Sequence, residues 1–406
     1  MRDVAVIGVG MTHFGKYLNK SIKDLSREAV TETLKDAGLD KSMIEAAYVG
    51  NAGAGALTGQ HMIRGQVALN PMGINKIPIY NIESACASGS YAFHLAHTAV
   101  AAGVHDCVLV LGVEKLFDEN KMKPFQFIES GVDTENFMTY FKQVEEHLGN
   151  GVKIFPDEQQ NRSRMLDFYS FLTKRYMGMY GLTQSHLAKL AVKAHVNASL
   201  NPKAQYQNLV SEEEVLASGD VTFPFTRMMC APIGDGAAAA ILCSKSVANQ
   251  YTTKPVWVND SVAGSGMVTT DLDDTLTRRM AAKLYETCDV GPDDFDVVEV
   301  HDTTSSAEVI DLVELGLCPG DQAAARIDEG YYDLRGKLPC NPSGGLTTKG
   351  HPLGATGVAQ IYEIVKQLKG ECGERQINDP KVGLTHNGGG ILGTDVASMT
   401  LHVFKK

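Results

Sequence analysis

The chain has 406 residues, 44% hydrophobic and 21% charged, with 40 glycines and a formal net charge of −11. This is a globular composition, long enough for two to three domains or one large duplicated core. With no Lys/Arg block to offset the negative charge, nucleic acid is excluded as the main partner, though a few local cations could still hold an anionic cofactor. No run reaches the roughly 18 apolar residues that suggest a membrane span. The opening MRDVAVIGVG lacks a leader's cleavage pattern, and the closing HVFKK is not a peroxisomal address. The eight cysteines are scattered without a CxxC pair, which argues against a zinc site or a disulfide framework. A cytoplasmic location is the expectation.

Taken in order, residues 3–10 (DVAVIGVG) predict a buried strand. Residues 21–40 predict an amphipathic helix with Ser21 as N-cap and Gly38 as its stop. AAYVGNAG predicts a second strand, IPIYNIESA a third leading into Cys86, SGSYAFHLAHTAVAAG a small-residue helix and DCVLVLGVEKL a further buried strand. This alternation implies a parallel-rich α/β architecture. Residues 116–225 break the pattern and predict a helix-rich insertion over the core, which resumes with APIGDGAAAAILCS. From Pro255 the first half is repeated in order and type: VWVNDSVAGSG, TRRMAAKLYETCDV, FDVVEVHDTTSS, the segment from NPSGG through KGHPLGATG with its helix, then KVGLTHNGGGILGTDVASMTLHVF. Two halves are therefore expected, 1–250 with the 116–225 insertion and 251–406.

Cys86, His301 and His351 stand at the ends of predicted strands, where α/β folds line a ligand crevice. Small neighbours leave room beside Cys86, and a helix start would favour its thiolate; a small core cysteine is the competing reading. His351, in KGHPLGATG, is placed to exchange a proton with a thiol, or else is bonded within its turn. His301 is placed to donate to a developing oxyanion. Asp302 and Glu308 are read as supports, and Thr303 to Ser306 as helix capping. HNGGG at 386–390 reads as a glycine-rich turn whose Gly388 N–H could be a second oxyanion donor. It fits neither phosphate-loop spacing.

Together ESACASGSYAF, DGAAAAILCS, NPSGGLTTKGHPLGATG and HNGGG resemble the thiolase superfamily over nearly the whole chain. EVHDTTSS, NPSGG and the His-Asn of HNGGG bring the resemblance nearest to the sterol-carrier/lipid-transfer branch. It implies two duplicated βαβαβαββ halves in α-β-α-β-α layers with an inserted loop domain, assembled as a homodimer. It also implies that Cys86 takes the acyl group of a 3-oxoacyl-CoA, with His351 as its base and an oxyanion hole built from His301, Gly388 and Cys86. Coenzyme A is the expected co-substrate, with Lys and Arg between about 160 and 230 meeting its phosphates, and no metal is expected. Members of the branch often work with a small OB-fold, zinc-ribbon (DUF35-type) protein. Many relatives carry a second cysteine in a C-x-G turn or an H-D-C-F motif. This chain has His386-Asn387-Gly388 and His301-Asp302-Thr303-Thr304 there. Candidates for the missing acid/base are His386, His351 and Cys340. The expected reaction is cleavage of an aromatic or branched 3-oxoacyl-CoA such as benzoylsuccinyl-CoA. The alternatives are a retro-aldolase, with Tyr331 and Tyr332 as acid/base groups, and a non-catalytic acyl-CoA-binding subunit.

Overall fold

The computed structural model describes residues 2–149, 153–155, 163–252 and 254–406. Part of the expected 116–225 insertion, including Arg162, lies outside the described residues. The first half runs β1 (Val4–Met11), α1 (Ile22–Ala37), β2 (Ala46–Gly50), α2 (Ala54–Thr58), α3 (Arg64–Leu69), β3 (Ile79–Ile82), α4 (Ser88–Ala101) and β4 (Cys107–Glu114). A long excursion follows, with α5 (Met122–Ile128), α6 (Phe137–Leu148), α7 (Arg164–Tyr180), α8 (Gln184–Ser199), α9 (Glu212–Leu216) and the small hairpin β5 (Asp220–Thr222) and β6 (Phe225–Thr226). The chain then returns through β7 (Gly236–Ser244), α10 (Lys245–Tyr251), β8 (Val256–Ser265), α11 (Leu276–Thr287), β9 (Val297–Glu299) and α12 (Ser305–Glu314). It ends with α13 (Ala323–Asp328), α14 (Leu353–Lys369), β10 (Val382–Leu392) and β11 (Asp395–Lys405).

Nine of these strands form one sheet, ordered β3-β2-β4-β7-β1-β8-β11-β10-β9. Read outward from the β1–β8 contact, both arms follow one scheme. In each, the strand next to the centre (β7, β11) runs antiparallel to both its neighbours, and the strands beyond it pair in parallel. A bridge from Val298 to Cys340 stands where β3 stands in the first arm. The sheet is mixed rather than parallel-rich. β3–β2, β2–β4 and β9–β10 are parallel, while β4–β7, β7–β1, β1–β8, β8–β11 and β11–β10 are antiparallel. The local reason is clearest at β10–β11, whose two-residue connection Gly393-Thr394 permits only an antiparallel pair.

Both faces of the central strands are covered, which is why they read as unbroken apolar runs. Along β1, Val4 and Val6 face a core shared with α4 and α14, whereas Ala5 and Ile7 face α1. Helix α1 begins at a Ser21–Asp24 capping box and stops at left-handed Gly38. α11 covers β8 and β11 on the far side. Between the two arms lie α4 and α14, each packed on strands of both. The layers are thus α1, first arm, α4 with α14, second arm, α11 with α12.

HNGGG is not a turn. It lies inside β10, with Gly388 opposite Met399 and Gly389 opposite Ser398. Nor does Thr304 cap α12 with its side chain; its hydroxyl meets that of Ser306, which bonds Thr173 of α7.

Candidate active site

Cys86 lies in the short link from β3 to α4, two residues ahead of the first helical residue. Ala85 holds a left-handed φ of 49°, uncommon for a residue with a side chain. The bend is tied by Ser88, whose Oγ donates to the Ala85 carbonyl (2.6 Å) and accepts from the Ser84 N–H (2.9 Å). From below, β10 presses against the link. A Cβ on Gly389 would collide with the Ser84 carbonyl and sit 2.6 Å from the Ala87 nitrogen. The expected lowering of the thiol is not found. Burial, and then the charge of Glu114, push it up to about 12, against the opposing N–H groups of Gly390 and of Cys86 itself. The resting sulfur is a thiol.

His351 immediately precedes Pro352 and α14. The two central helices cross near their starts, with the Gly354 carbonyl 2.5 Å from where a Cβ on Gly89 would stand. This close crossing delivers His351 beside Cys86. Ahead of it, a π-helical turn at Gly345–Lys349 wraps the buried Asp302 carboxylate, which accepts from the Leu346 N–H (2.7 Å) and the Thr347 hydroxyl (2.9 Å). Asp302 therefore supports the fold, as expected; burial pushes its carboxyl up to about 8. Glu308, also a support, pairs with Lys193 at 2.6 Å.

The proton positions of both histidines follow from their partners. Thr356 Oγ1 donates to the Pro352 carbonyl (3.0 Å), so it accepts from His351 Nδ1–H (2.8 Å). His351 Nε2 then carries a bare lone pair and has no hydrogen-bond partner among the described residues. Burial, with Lys349 adding to it, lowers this imidazole to about 3, so it is neutral. For His301 the chain of reasoning starts at Gln360. Its Nε2 donates to the carbonyls of Val300 (3.0 Å) and His386 (3.1 Å), so its Oε1 accepts from Asn387 Nδ2 (2.9 Å). The second proton of that amide meets His301 Nδ1 at 3.0 Å. His301 is thereby left with its proton on Nε2, a neutral donor held well below its ordinary pKa by burial and by its histidine neighbours.

The Cys86 sulfur and ring nitrogens of His301 and His351 all lie within 4.8 Å of one another. The two rings meet edge to face at 5.2 Å between centroids. A protonated thiol and an imidazole presenting N–H form a poor metal donor set. They are a good proton-transfer set: a thiol, a bare imidazole nitrogen beside it, and an N–H donor.

A cavity opens from Cys86 and is lined by His301, Thr303, His386, Gly388 and Gly390. His386 is not part of the tight group. It stands on β10 with Nδ1 3.3 Å from Asp311 Oδ2 and 3.4 Å from the His301 N–H. Gly388 lines the cavity, while the N–H groups that reach the sulfur are those of Gly390 and Cys86. Sequence reading missed the cavity's aromatic wall, Phe168, Tyr169, Leu172 and Tyr176 of α7. Their three- and four-residue spacing was a legible helical stripe. Cys340 does not line the cavity; it is fully buried beside Lys193, whose Nζ bonds its carbonyl at 2.8 Å. Tyr331 and Tyr332 are also outside it; Tyr332 faces a separate groove between α8 and residues 327–335. Of the Lys and Arg between 160 and 230, Arg175, Lys189, Lys193 and Lys203 pair with Asp273, Asp328, Glu308 and Glu32.

Comparison with known proteins supplies an independent view. The model described as "Thiolase, N-terminal domain" matches residues 4–215, and "Thiolase C-terminal domain-like" matches 264–402. The chain is 37% identical to an acetyl-CoA acetyltransferase of Methanothermobacter thermautotrophicus, over 100% of both chains. It is 35% identical to human sterol carrier protein 2, over 97% of this chain and 72% of that protein. It is 34% identical to the benzoylsuccinyl-CoA thiolase subunit BbsB of Thauera aromatica, over 96% of this chain and 95% of that protein. Among solved structures it resembles the Ltp2-ChsH2(DUF35) aldolase, with TM-score 0.76 and 22% identity over 98% of this chain and 97% of that one. It also resembles the Acat5 thiolase of Ascaris suum in complex with coenzyme A, with TM-score 0.68 and 17% identity over 100% of both chains.

Proposed function

The chain belongs to the thiolase family and is an acyltransferase, and within that family we propose that it cleaves a 3-oxoacyl-CoA with coenzyme A through an acyl-Cys86 intermediate. The observation that carries this reading is the convergence of the Cys86 sulfur, His301 and His351 within 4.8 Å. His351 Nε2 takes the thiol proton as the sulfur attacks the 3-oxo carbon. The developing oxyanion is met by His301 Nε2–H. When the C2–C3 bond breaks, the acyl group remains on Cys86 and the two-electron pair leaves on C2 of the departing acyl-CoA, which takes up a proton. Coenzyme A then gives up its thiol proton and attacks the acyl-Cys86 thioester. The Cys86 sulfur is released and recovers its proton from His351. The N–H groups of Cys86 and Gly388 serve the thioester oxygen.

For the acyl group we favour an aromatic or branched chain such as benzoylsuccinyl-CoA. Support comes from the BbsB relative and from the wall formed by Phe168, Tyr169, Leu172 and Tyr176. Arg164, Lys174 and Arg227 are the cations between 160 and 230 for which the described residues offer no carboxylate partner, and we assign them to the coenzyme A phosphates. The unpaired edge of β3, with Tyr80 exposed beside it, is the face we assign to a homodimer. A DUF35-type partner is supported by the aldolase neighbour alone. The aldolase alternative is weakened, because Tyr331 and Tyr332 lie outside the cavity.

Incubation with a panel of acyl-CoAs and intact-protein mass spectrometry tests the reading. An acyl adduct on Cys86, absent in Cys86→Ala, is the expected result. Carbon–carbon cleavage that survives Cys86→Ala would sink it.

A further inference from the structure

The cleavage just described needs one more proton-transfer group. A proton must reach C2 of the departing acyl-CoA, and another must leave the incoming coenzyme A thiol. His351 is occupied with the Cys86 proton. His301 is held as a donor by Asn387. Among the described residues, the other titratable groups on the cavity wall are His386, Asp311, Glu314, Asp395, Tyr169 and Tyr176. Glu314 is committed, accepting from the Tyr176 hydroxyl (3.0 Å) and the Thr275 hydroxyl (2.8 Å). Asp395 is committed as well, to the Leu276 N–H (2.8 Å) and to Arg279 (2.5 Å). Burial pushes both tyrosine hydroxyls up, which makes them weak acids at neutral pH.

His386 and Asp311 remain. His386 is 2% exposed, and its Nε2 has no hydrogen-bond partner among the described residues. An unpartnered imidazole nitrogen at this depth is costly unless something else meets it. At its other nitrogen stand Asp311 Oδ2, 3.3 Å away, and the His301 N–H, 3.4 Å away, and the carboxylate is the acceptor there for an Nδ1–H. The backbone of His386 is fixed through its carbonyl by Gln360. A carboxylate behind one nitrogen and a free second nitrogen is the arrangement that lets an imidazole gain and lose a proton in place.

We propose that His386, backed by Asp311, is the second acid/base of this site, protonating C2 of the departing acyl-CoA and then deprotonating the incoming coenzyme A. The inference rests on the reading of Cys86 as the acyl-carrying nucleophile. In the first half-reaction His386, with Nδ1–H held by Asp311 Oδ2, gives its Nε2 proton to C2 as the C2–C3 bond breaks, which leaves a neutral imidazole. In the second, the bare Nε2 takes the proton of the coenzyme A thiol as its sulfur attacks the thioester. The imidazole ends as it began, and no oxidant or further reactant enters. The charged and titratable neighbours of His386 are Asp311 on α12 and His301 beyond β9.

The test isolates this proton from the chemistry of Cys86. In D2O, an acid/base that serves C2 also exchanges the C2 hydrogens of a bound acyl-CoA. Acetyl-CoA, propionyl-CoA and succinyl-CoA are the probes; deuterium at C2 and the acyl adduct on Cys86 are both read by mass spectrometry. The wild-type protein should wash deuterium into C2. His386→Asn should still acylate Cys86 on long incubation, though more slowly because the departing coenzyme A thiolate loses its proton donor, and should wash in deuterium about a hundredfold more slowly, within the usual range for a general acid–base group. Asp311→Asn should acylate Cys86 but slow the exchange, and Asp311→Glu should restore it, because a carboxylate at Nδ1 is what holds the ring for proton transfer. Retained acylation shows that each variant is folded. Wild-type exchange rates in His386→Asn overturn the proposal, as does a wild-type protein that acylates Cys86 but exchanges nothing. A wild-type protein that acylates Cys86 with none of the three probes sinks the nucleophile reading, and this one with it.

Discussion

Thr356 places the proton on His351. Its single hydroxyl proton goes to the Pro352 carbonyl, so it can only accept from Nδ1, and Nε2 is left bare toward the thiol. Thr356→Val keeps the shape and removes the acceptor. Acylation of Cys86 should slow about ten- to a hundredfold in this variant, since a misplaced tautomer forfeits most of a general base's contribution. The imidazole nitrogen shifts of His351 should show the mixed tautomer, a change that a purely structural defect would not produce. Asn387→Leu should do the same to His301 and leave His351 unchanged. The sulfur supplies a pH test. With its thiol pushed up to about 12, Cys86 holds little thiolate at rest. Its alkylation by iodoacetamide should rise about tenfold per pH unit from pH 7 to 10 without a plateau, because only the thiolate reacts. A plateau below pH 9 would mean that the sulfur rests as a thiolate. Comparison with Cys86→Ala separates this sulfur from the chain's other cysteines.

At the scale of elements, the site is built where four segments end or cross. α4 and α14 bring Cys86 and His351 together. β9 leads into His301, and β10 supplies His386 and the glycines beneath Cys86. Gly389→Ala tests that last contact. Its methyl group would meet the Ser84 carbonyl and the Ala87 nitrogen, both backbone atoms that cannot swing aside. A loss of about 1–3 kcal/mol of stability is expected from such overpacking, with a larger proportional loss of Cys86 acylation. Thermal melting and adduct formation measure the two. Much of this was legible in sequence. Caps such as Ser21 and Gly38 are local signals, and two-sided burial makes β1, β4 and β7 unbroken apolar runs. What was not legible depended on distant partners. The glycines of HNGGG suggest a turn to any local reading, yet they are small because the Cys86 link crosses over them. The helix start suggests a thiolate, yet desolvation of a buried sulfur outweighs it. Strand direction was misjudged because alternating strands and helices do not reveal that the strand after a long excursion returns antiparallel.

The whole molecule is held together by its middle layer. Nearly all of α14 is buried, although every residue of that helix comes from the second half of the chain. It packs on β1, β4 and β7 of the first half as well as on β9 and β10 of its own. At its far end Lys366 and Lys369 both reach Asp36 of α1, at 2.6 and 3.1 Å, and Lys369 also bonds the Ile7 carbonyl. Burial raises the Asp36 carboxyl, but the two lysines and the Val9 N–H outweigh it, and its pKa is lowered below 3.8. A carboxyl lowered in the folded state contributes stability that is present above its unfolded value and is lost as pH falls through the folded one. Asp36→Asn should therefore cost about 1–3 kcal/mol at neutral pH, less than for a fully buried pair because Asp36 and Lys366 are half-buried. The gap to the parent should close as the pH drops below 3.8. The same layer bears on the proposed division at residue 250. Separate chains 1–250 and 251–406 would each expose one face of a helix layer that is covered only by the other. Neither should give a cooperative melt alone, whereas the intact chain should melt once and Asp36→Asn should lower that single transition without splitting it. Two transitions in the intact protein, or a folded 251–406 fragment, would show instead that the halves are independent and that α14 is only docked between them.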